Sequence, residues 1–475
     1  MSLHDQPVAE PVRTGGLRKG TIGVFGMAFM VIAATAPLTA MASNMSLSLG
    51  LGVGAGSVGL LVLTGALLAV FAVGYVVLTR YVTNAGAYYA FIGFGLGRSS
   101  GAAAAFIATL AYNLAAGGMI VATGYFLDIT VTSYLDVDLP WYAYGAVALV
   151  ITFFLGLRGV ELAQRVTTVI SVAQFGIILL LGLAIVVQRP GGWSLSVLSP
   201  GEMFGGNVAM TLVFCLLCFG GFEAAAVYGE EAHAPRRAIK IATYLGLGLL
   251  LVAFVFSTWS LAAAFADVRT VAAEDPGSLI FRTADLYLGD WSGPLFSALV
   301  AFSFLAAAVA FHNISTRYLF SLGRAGLLPG FLARVHHRHG TPYLSTYAQT
   351  VFTLVMLVPF AASGLDPIMH LFPAASGITS LSMLALMLGC CASVIAAAFR
   401  GKVTERWWET VLAPGIAGIG VLVTMGIVVV NYQALTGSDS IVVAFMPVIP
   451  VLAALYGVLV SRRKGEVSLD DVAGG

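Results

Sequence analysis

Residues 215–238 read CLLCFGGFEAAAVYGEEAHAPRRA. The stretch begins inside an apolar run, which is interrupted at Phe219-Gly220-Gly221-Phe222 and followed at once by a carboxylate, Glu223. A short apolar piece, 224–228, leads to a charged end with Glu230, Glu231, Arg236 and Arg237. Two adjacent glycines weaken a helix and let its backbone polar groups open. In lipid an opened backbone is tolerated only where it is buried in protein or lines a wet cavity. A carboxylate beside such a break marks a functional site, whereas the plainer reading makes Glu223 a cap on the second half-helix.

Composition places that break in a membrane. The chain has 475 residues, of which 59% are hydrophobic and 9% charged. Soluble domains carry about 25% charged residues, so this chain reads as an all-helical polytopic membrane protein in contact with a lipid bilayer. The net charge is +1, and no basic patch with interleaved aromatics points to nucleic acid. Residues 1–20 are polar, read as a disordered cytoplasmic segment, and lack a secretory pattern. Residues 465–475 read as a cytoplasmic tail.

Twelve apolar runs are long enough to span: 21–48, 56–79, 99–127, 141–157, 164–187, 207–229, 238–265, 291–318, 344–362, 371–398, 409–431 and 441–460. With the N-terminus inside, this count leaves only Arg189, Arg269 and Arg282, of 23 basic residues, on the outer side. The positive-inside rule therefore predicts both termini in the cytoplasm. Between spans 8 and 9, the spacing of Leu327, Leu328, Phe331, Leu332 and Val335 predicts an amphipathic helix on the inner surface.

Span 1 carries a second break. Ala33-Ala34-Thr35-Ala36-Pro37 stands at its middle. Proline removes a donor, disfavours the preceding turn and sits well at the first position of a new helix, so two half-helices are predicted, the second starting at Pro37. Spans 1 and 6 lie five apart, and interrupted segments in matching places of two oppositely oriented halves point to a transporter binding site. The repeat would be spans 1–5 and 6–10 within residues 21–400, with spans 11 and 12 in 401–464. Freed N–H groups at a half-helix start suit a carboxylate and freed carbonyls suit an ammonium, a pairing that fits a zwitterion such as an amino acid.

The lining expected from the breaks is Ala34, Thr35, Ala36, Pro37, Phe219, Gly220, Gly221 and Phe222. At similar depth lie Tyr112 and Asn113 of span 3 and Phe302 and Ser303 of span 8. Glu223 is the charged group placed well inside a span, so it is the coupling candidate for a proton. His312 and Asn313 fall toward the cytoplasmic end of span 8 and are expected at an inner gate. Cys215, Cys218, Cys390 and Cys391 lie in apolar runs and read as small buried residues. His336, His337 and His339 read as solvated loop residues, and no cofactor or metal motif is present. No His/Glu pair or Ser/His couple within the spans supports an embedded enzyme, and no phosphate-binding Gly-x-x-x-x-Gly-Lys loop supports ATP-driven transport.

These residues resemble a known superfamily. GFEAAAVYGEEAHAPRRAI is similar to the sixth-span signature of the amino acid–polyamine–organocation (APC) transporters. Arg80-Tyr81 with Asn84-Ala-Gly-Ala-Tyr-Tyr89 resembles its loop between spans 2 and 3, and residues 317–329, RYLFSLGRAGLLP, its loop after span 8. The resemblance implies a five-plus-five inverted repeat and alternating access. It implies substrate held between the breaks of spans 1 and 6, with an amino acid or a polyamine as cargo. Two departures stand out: Ala34-Thr35-Ala36-Pro37 occupies the place of a Gly-x-Gly break, and Gln174 that of a lysine some proton-coupled members carry.

Overall fold

The computed structural model describes residues 17, 20–337, 339–437 and 440–463. The expected disordered segment 1–20, apart from Leu17 and Gly20, and the tail 465–475 lie outside them. Eleven helices among the described residues are long and apolar enough to cross a membrane: Val24–Leu51, Gly54–Tyr81, Arg98–Leu135, Trp141–Arg158, Val160–Gln188, Val208–Glu231, Pro235–Ala264, Ser292–Arg324, Tyr343–Ser363, Phe372–Phe399 and Trp408–Val430. They are spans 1 to 11. The region expected to form span 12 is divided at Met446-Pro447 into Ile441–Phe445 and Val448–Arg463.

Burial separates the spans into two sets. Span 1 has 83% of its apolar window buried and span 8 has 72%, against 28% for spans 4 and 9. Spans 1 and 8 therefore stand at the centre, and spans 4 and 9 at the lipid-facing rim. Span 5 shows why an apolar run can sit outside: Val169, Val172, Leu179 and Val187 face outward, while Thr167, Ser171 and Gln174 are buried. Span 8 packs along span 3 and against spans 1 and 5.

Two connections differ from expectation. The 2–3 connection contains a further helix, Tyr88–Leu96, whose tyrosines are buried. The amphipathic helix expected after span 8 is absent; Gly330–Ala333 is a single 3-10 turn with Leu332 and Ala333 buried. Gly326 and Pro329 account for this, the first at φ 68° and the second without a helical donor. In the following turn the His336 ring stacks on that of His337 at 4.8 Å and lies tilted against that of His339 at 4.9 Å.

Candidate functional site

Span 1 breaks as its sequence predicts. Helix Val24–Thr35 ends at Ala36, a non-glycine residue at φ 47° and ψ 75°, and Pro37 opens the next helix. Every backbone donor through the break is accounted for. Ala36 N–H donates to the Ile32 carbonyl at 3.0 Å, and Pro37 has no N–H. Leu38 N–H donates to Gln174 Oε1 at 3.2 Å. Thr39 N–H and the Thr39 hydroxyl donate to Ser303 Oγ at 3.3 and 2.8 Å. The Ser303 hydroxyl donates in turn to Gln174 Oε1 at 2.9 Å. The start of the second half-helix is thus capped by spans 5 and 8. This corrects the expectation that its amides stand free for a carboxylate.

Span 6 breaks differently. Helix Val208–Cys218 ends, and Gly221 at φ 98° turns the chain into a ten-residue 3-10 stretch, Phe222–Glu231. A Cβ at Gly221 would stand 2.8 Å from the Ala34 side chain, so the two breaks touch at a position where glycine is required for both angle and space. At Gly220 a Cβ would meet only the Leu217 carbonyl, at 3.3 Å, and this residue is exposed amid buried neighbours.

Glu223 follows, fully enclosed. The N–H groups of Gly221 and of Glu223 itself face its carboxylate. The Tyr112 hydroxyl donates to Oε1 at 2.9 Å, and the Tyr75 hydroxyl donates to the Glu223 backbone carbonyl at 2.8 Å. The Tyr112 ring lies 5.0 Å from that of Tyr318, whose hydroxyl accepts from Tyr88 N–H at 3.2 Å. A carboxylate here is both a cap on the 3-10 start and the acid end of a tyrosine cluster.

Ala34, Ala36, Pro37, Gly221, Tyr112, Ser303 and Glu223 come together around the two breaks. Thr35 turns its hydroxyl back onto the Ile32 carbonyl at 2.9 Å. Asn113 donates its amide to Thr109 in its own helix at 2.6 Å. The Phe219 ring packs edge-on against Phe254 at 5.1 Å, and the Phe222 ring against Phe71 at 5.7 Å, so both point into neighbouring spans. Phe302 is the clear correction: it is 43% exposed and shares an outer face with Leu295, seven residues away. One residue rotates a helix by about 100°, which turns Ser303 inward and Phe302 outward.

Below the breaks the structure is closed by ion pairs. Arg317 of span 8 grips Glu231 at 2.7 and 3.1 Å and donates to the Asn313 carbonyl at 2.9 Å. Its guanidinium lies 4.7 Å from the Tyr228 ring centre. Arg324 donates to Glu230 Oε2 at 3.1 Å, and Ala85 N–H donates to Glu230 Oε1 at 2.9 Å. Asn313 therefore takes part in this ion-paired layer. The His312 ring lies where a Cβ on Gly156 of span 4 would meet it at 3.4 Å. At the opposite end of the spans, the ion pair among the described residues is Arg282 with Glu274 at 3.5 Å, both exposed.

A family model described as "Amino acid permease" matches residues 22–455. The chain is 24% identical to the branched-chain amino acid permease BcaP of Bacillus subtilis over 202 residues, 42% of each chain. It is 26% identical to the cadaverine/lysine antiporter of Escherichia coli over 196 residues, 38% of this chain and 42% of the other. It is 25% identical to the lysine-specific permease LysP of Lactococcus lactis over 239 residues, 46% of each. The aligned stretches thus span less than half of these relatives. The solved structure of a single-residue mutant of the Eremococcus coleocola manganese transporter superposes with TM-score 0.54 at 14% identity, covering 95% of this chain and 99% of the other. That likeness establishes a shared fold.

Proposed function

This chain belongs to the amino acid permease family matched over residues 22–455, and on that premise we propose that it is a secondary transporter carrying a small amino acid across the cytoplasmic membrane by alternating access. One observation carries the reading: the breaks of spans 1 and 6 meet at Ala34 and Gly221, beside the enclosed carboxylate of Glu223. Broken spans that meet at mid-membrane are where transporters of this architecture hold cargo. The proposed binding surface is the exposed backbone at Gly220 with Ala34, Thr35, Ala36, Pro37, Phe219, Gly221 and Phe222. Tyr112, Asn113 and Ser303 flank it. Twelve spans, an inverted repeat of spans 1–5 and 6–10, and cytoplasmic termini complete the proposal.

Coupling is assigned to a proton on Glu223 or to exchange. Gln174 supports this assignment against a titrating lysine, because its amide is fixed by Leu38 and Ser303 and does not change charge. A polyamine or another organic amine is the second reading. The rings of Tyr75, Tyr88, Tyr112 and Tyr318 around Glu223 favour it, since tyrosine faces and a carboxylate both attract an ammonium.

The test is reconstitution. Purified protein in liposomes is screened for thermal stabilisation by amino acids and amines, since any ligand of the native state raises apparent stability. Ligands that stabilise are then assayed for uptake under a pH gradient and for exchange without one. Stabilisation by none of the compounds, with no uptake, would defeat the proposal.

A further inference from the structure

Two of the four cysteines share more than burial. Cys215 and Cys218 stand three residues apart on the helix Val208–Cys218, so their side chains leave it on one face. That face borders a narrow gap inside the protein. Met45 and Ser48 of span 1, Ser57 of span 2, Thr258 of span 7 and both cysteines line it. None of the six side chains is more than 2% exposed. Three sulfur atoms therefore meet in one enclosed place, on the first half of span 6 and the second half of span 1.

Some polar groups around the gap are engaged. The Ser57 hydroxyl donates to the Ser48 carbonyl at 3.0 Å, and the Cys215 thiol makes a long contact, 4.0 Å, to the Ser57 carbonyl. The Ser257 hydroxyl donates to the Met45 sulfur at 3.4 Å. Two hydroxyls are not engaged: Ser48 Oγ and Thr258 Oγ1 are enclosed and have no partner among the described residues. A buried hydroxyl left so is costly, and it points to a water or an ion. The gap is too narrow to admit a water molecule. What remains is a bare ion, and the sulfurs determine its kind.

We propose that this gap is a binding site for a soft monovalent d10 cation, Cu(I) or Ag(I), held by Cys215, Cys218 and Met45. Thiolate and thioether sulfur select such ions over hard ones. These ions bind with two or three ligands and without their water, so they need little space. The charges balance with one ionised cysteine. One thiol gives its proton to bulk water, its sulfur forms the metal bond, and the cation cancels the thiolate. The second thiol and the Met45 thioether add lone pairs without charge. The complex is neutral, which avoids burying a net charge at membrane depth. The ligating thiolate can also accept from the Ser48 and Thr258 hydroxyls, which accounts for both orphans. Zinc fits less well, since it takes four ligands, and among the described residues no group of three His, Cys, Asp or Glu side chains gathers to hold a metal. The site stands apart from the breaks and from Glu223, so it goes beyond the transport reading.

The test needs no cargo. Purified full-length protein is incubated with silver nitrate in chloride-free buffer and desalted, and silver is measured against protein by mass spectrometry. One retained equivalent is expected, and X-ray absorption at the silver edge should show sulfur neighbours alone. Cys215→Ser and Cys218→Ser should each abolish retention. Ser48→Ala, which removes a hydroxyl facing the thiolate, should weaken binding roughly tenfold. Cys390→Ala combined with Cys391→Ala, both in span 10, should keep the full equivalent. Oxygen or nitrogen in the first shell of the unmodified protein overturns the site, and this reading stands even where a cysteine variant fails to fold. Absence of retained silver overturns it as well, as does an equivalent that survives the loss of Cys215 and Cys218. Neither result bears on the transport reading, because no step of the experiment depends on transport.

Discussion

At the break of span 1, the freed amides of Leu38 and Thr39 end on Gln174 and Ser303, side chains from spans 5 and 8. At the break of span 6, the N–H groups of Gly221 and Glu223 face a carboxylate of the same segment. The first break is tied to its neighbours by neutral groups and cannot change charge. The second holds its carboxylate locally and is reached from outside by two hydroxyls, Tyr112 on the carboxylate and Tyr75 on the Glu223 backbone carbonyl. A backbone opened in a membrane must be satisfied in either case. The difference is that the first break is held by side chains of two other spans, whereas the second carries its titratable group within its own segment. In the proposed mechanism span 1 is then the frame, and span 6 the part that responds to a proton or an ammonium.

The most severe challenge to that assignment is Glu223→Gln, which keeps the shape but cannot titrate. Accumulation driven by a pH gradient is expected to fall to the level of protein-free liposomes, with exchange at zero gradient retained. Full gradient-driven uptake would return span 6 to a merely structural part. Gly221→Ala comes next, since the new methyl would meet Ala34 in a left-handed backbone; about 1–3 kcal/mol of stability should be lost. Gly220→Ala meets only the Leu217 carbonyl, at 3.3 Å, and should cost less than Gly221→Ala while weakening ligand-induced stabilisation. Equal melting temperatures for the two variants would erase the contact between the breaks.

Span 1 is probed through its caps. Gln174→Leu deprives Leu38 N–H and the Ser303 hydroxyl of their acceptor and should cost about 1–3 kcal/mol. Its pH profile of transport should match that of unmodified protein, because nothing titratable is removed. A displaced profile would move the chemistry to span 1. Ser303→Ala should cost about 1 kcal/mol, read by thermal unfolding in detergent. Phe302→Leu, on the outer face of the same helix, should stay within about 0.5 kcal/mol and leave transport intact.

Much of this arrangement is legible in the chain because proline and glycine act locally. Pro37 fixes where span 1 restarts, and the Gly220-Gly221 pair announces a break in span 6. Which glycine carries the left-handed angle is not legible, nor is its close approach to Ala34, which a Cβ at Gly221 would meet at 2.8 Å across 187 positions of sequence. Gln174 looks inert when read as a missing lysine; its capping role appears only when span 5 is set beside span 1. Phe302 and Ser303 share a depth, and depth says nothing of rotation about the helix axis when both faces of a span are apolar. The leucine spacing after span 8 is genuine, yet Gly326 and Pro329 interrupt the winding it would need.

The ten residues from Phe222 to Glu231 wind as a 3-10 helix, longer than such turns ordinarily run. A 3-10 helix rises about 2.0 Å per residue and an α-helix about 1.5 Å. Rewinding this segment into the wider form would shorten it by roughly 5 Å, about the pitch of one α-helical turn. It would also rotate one end against the other, since three residues per turn would become 3.6. Glu223 stands at one end of this screw, and Glu230 and Glu231, ion-paired to Arg324 and Arg317, stand at the other. Such a rewinding at the carboxylate end would have a direct mechanical output at the ion-paired end, as a thread draws in when it is turned.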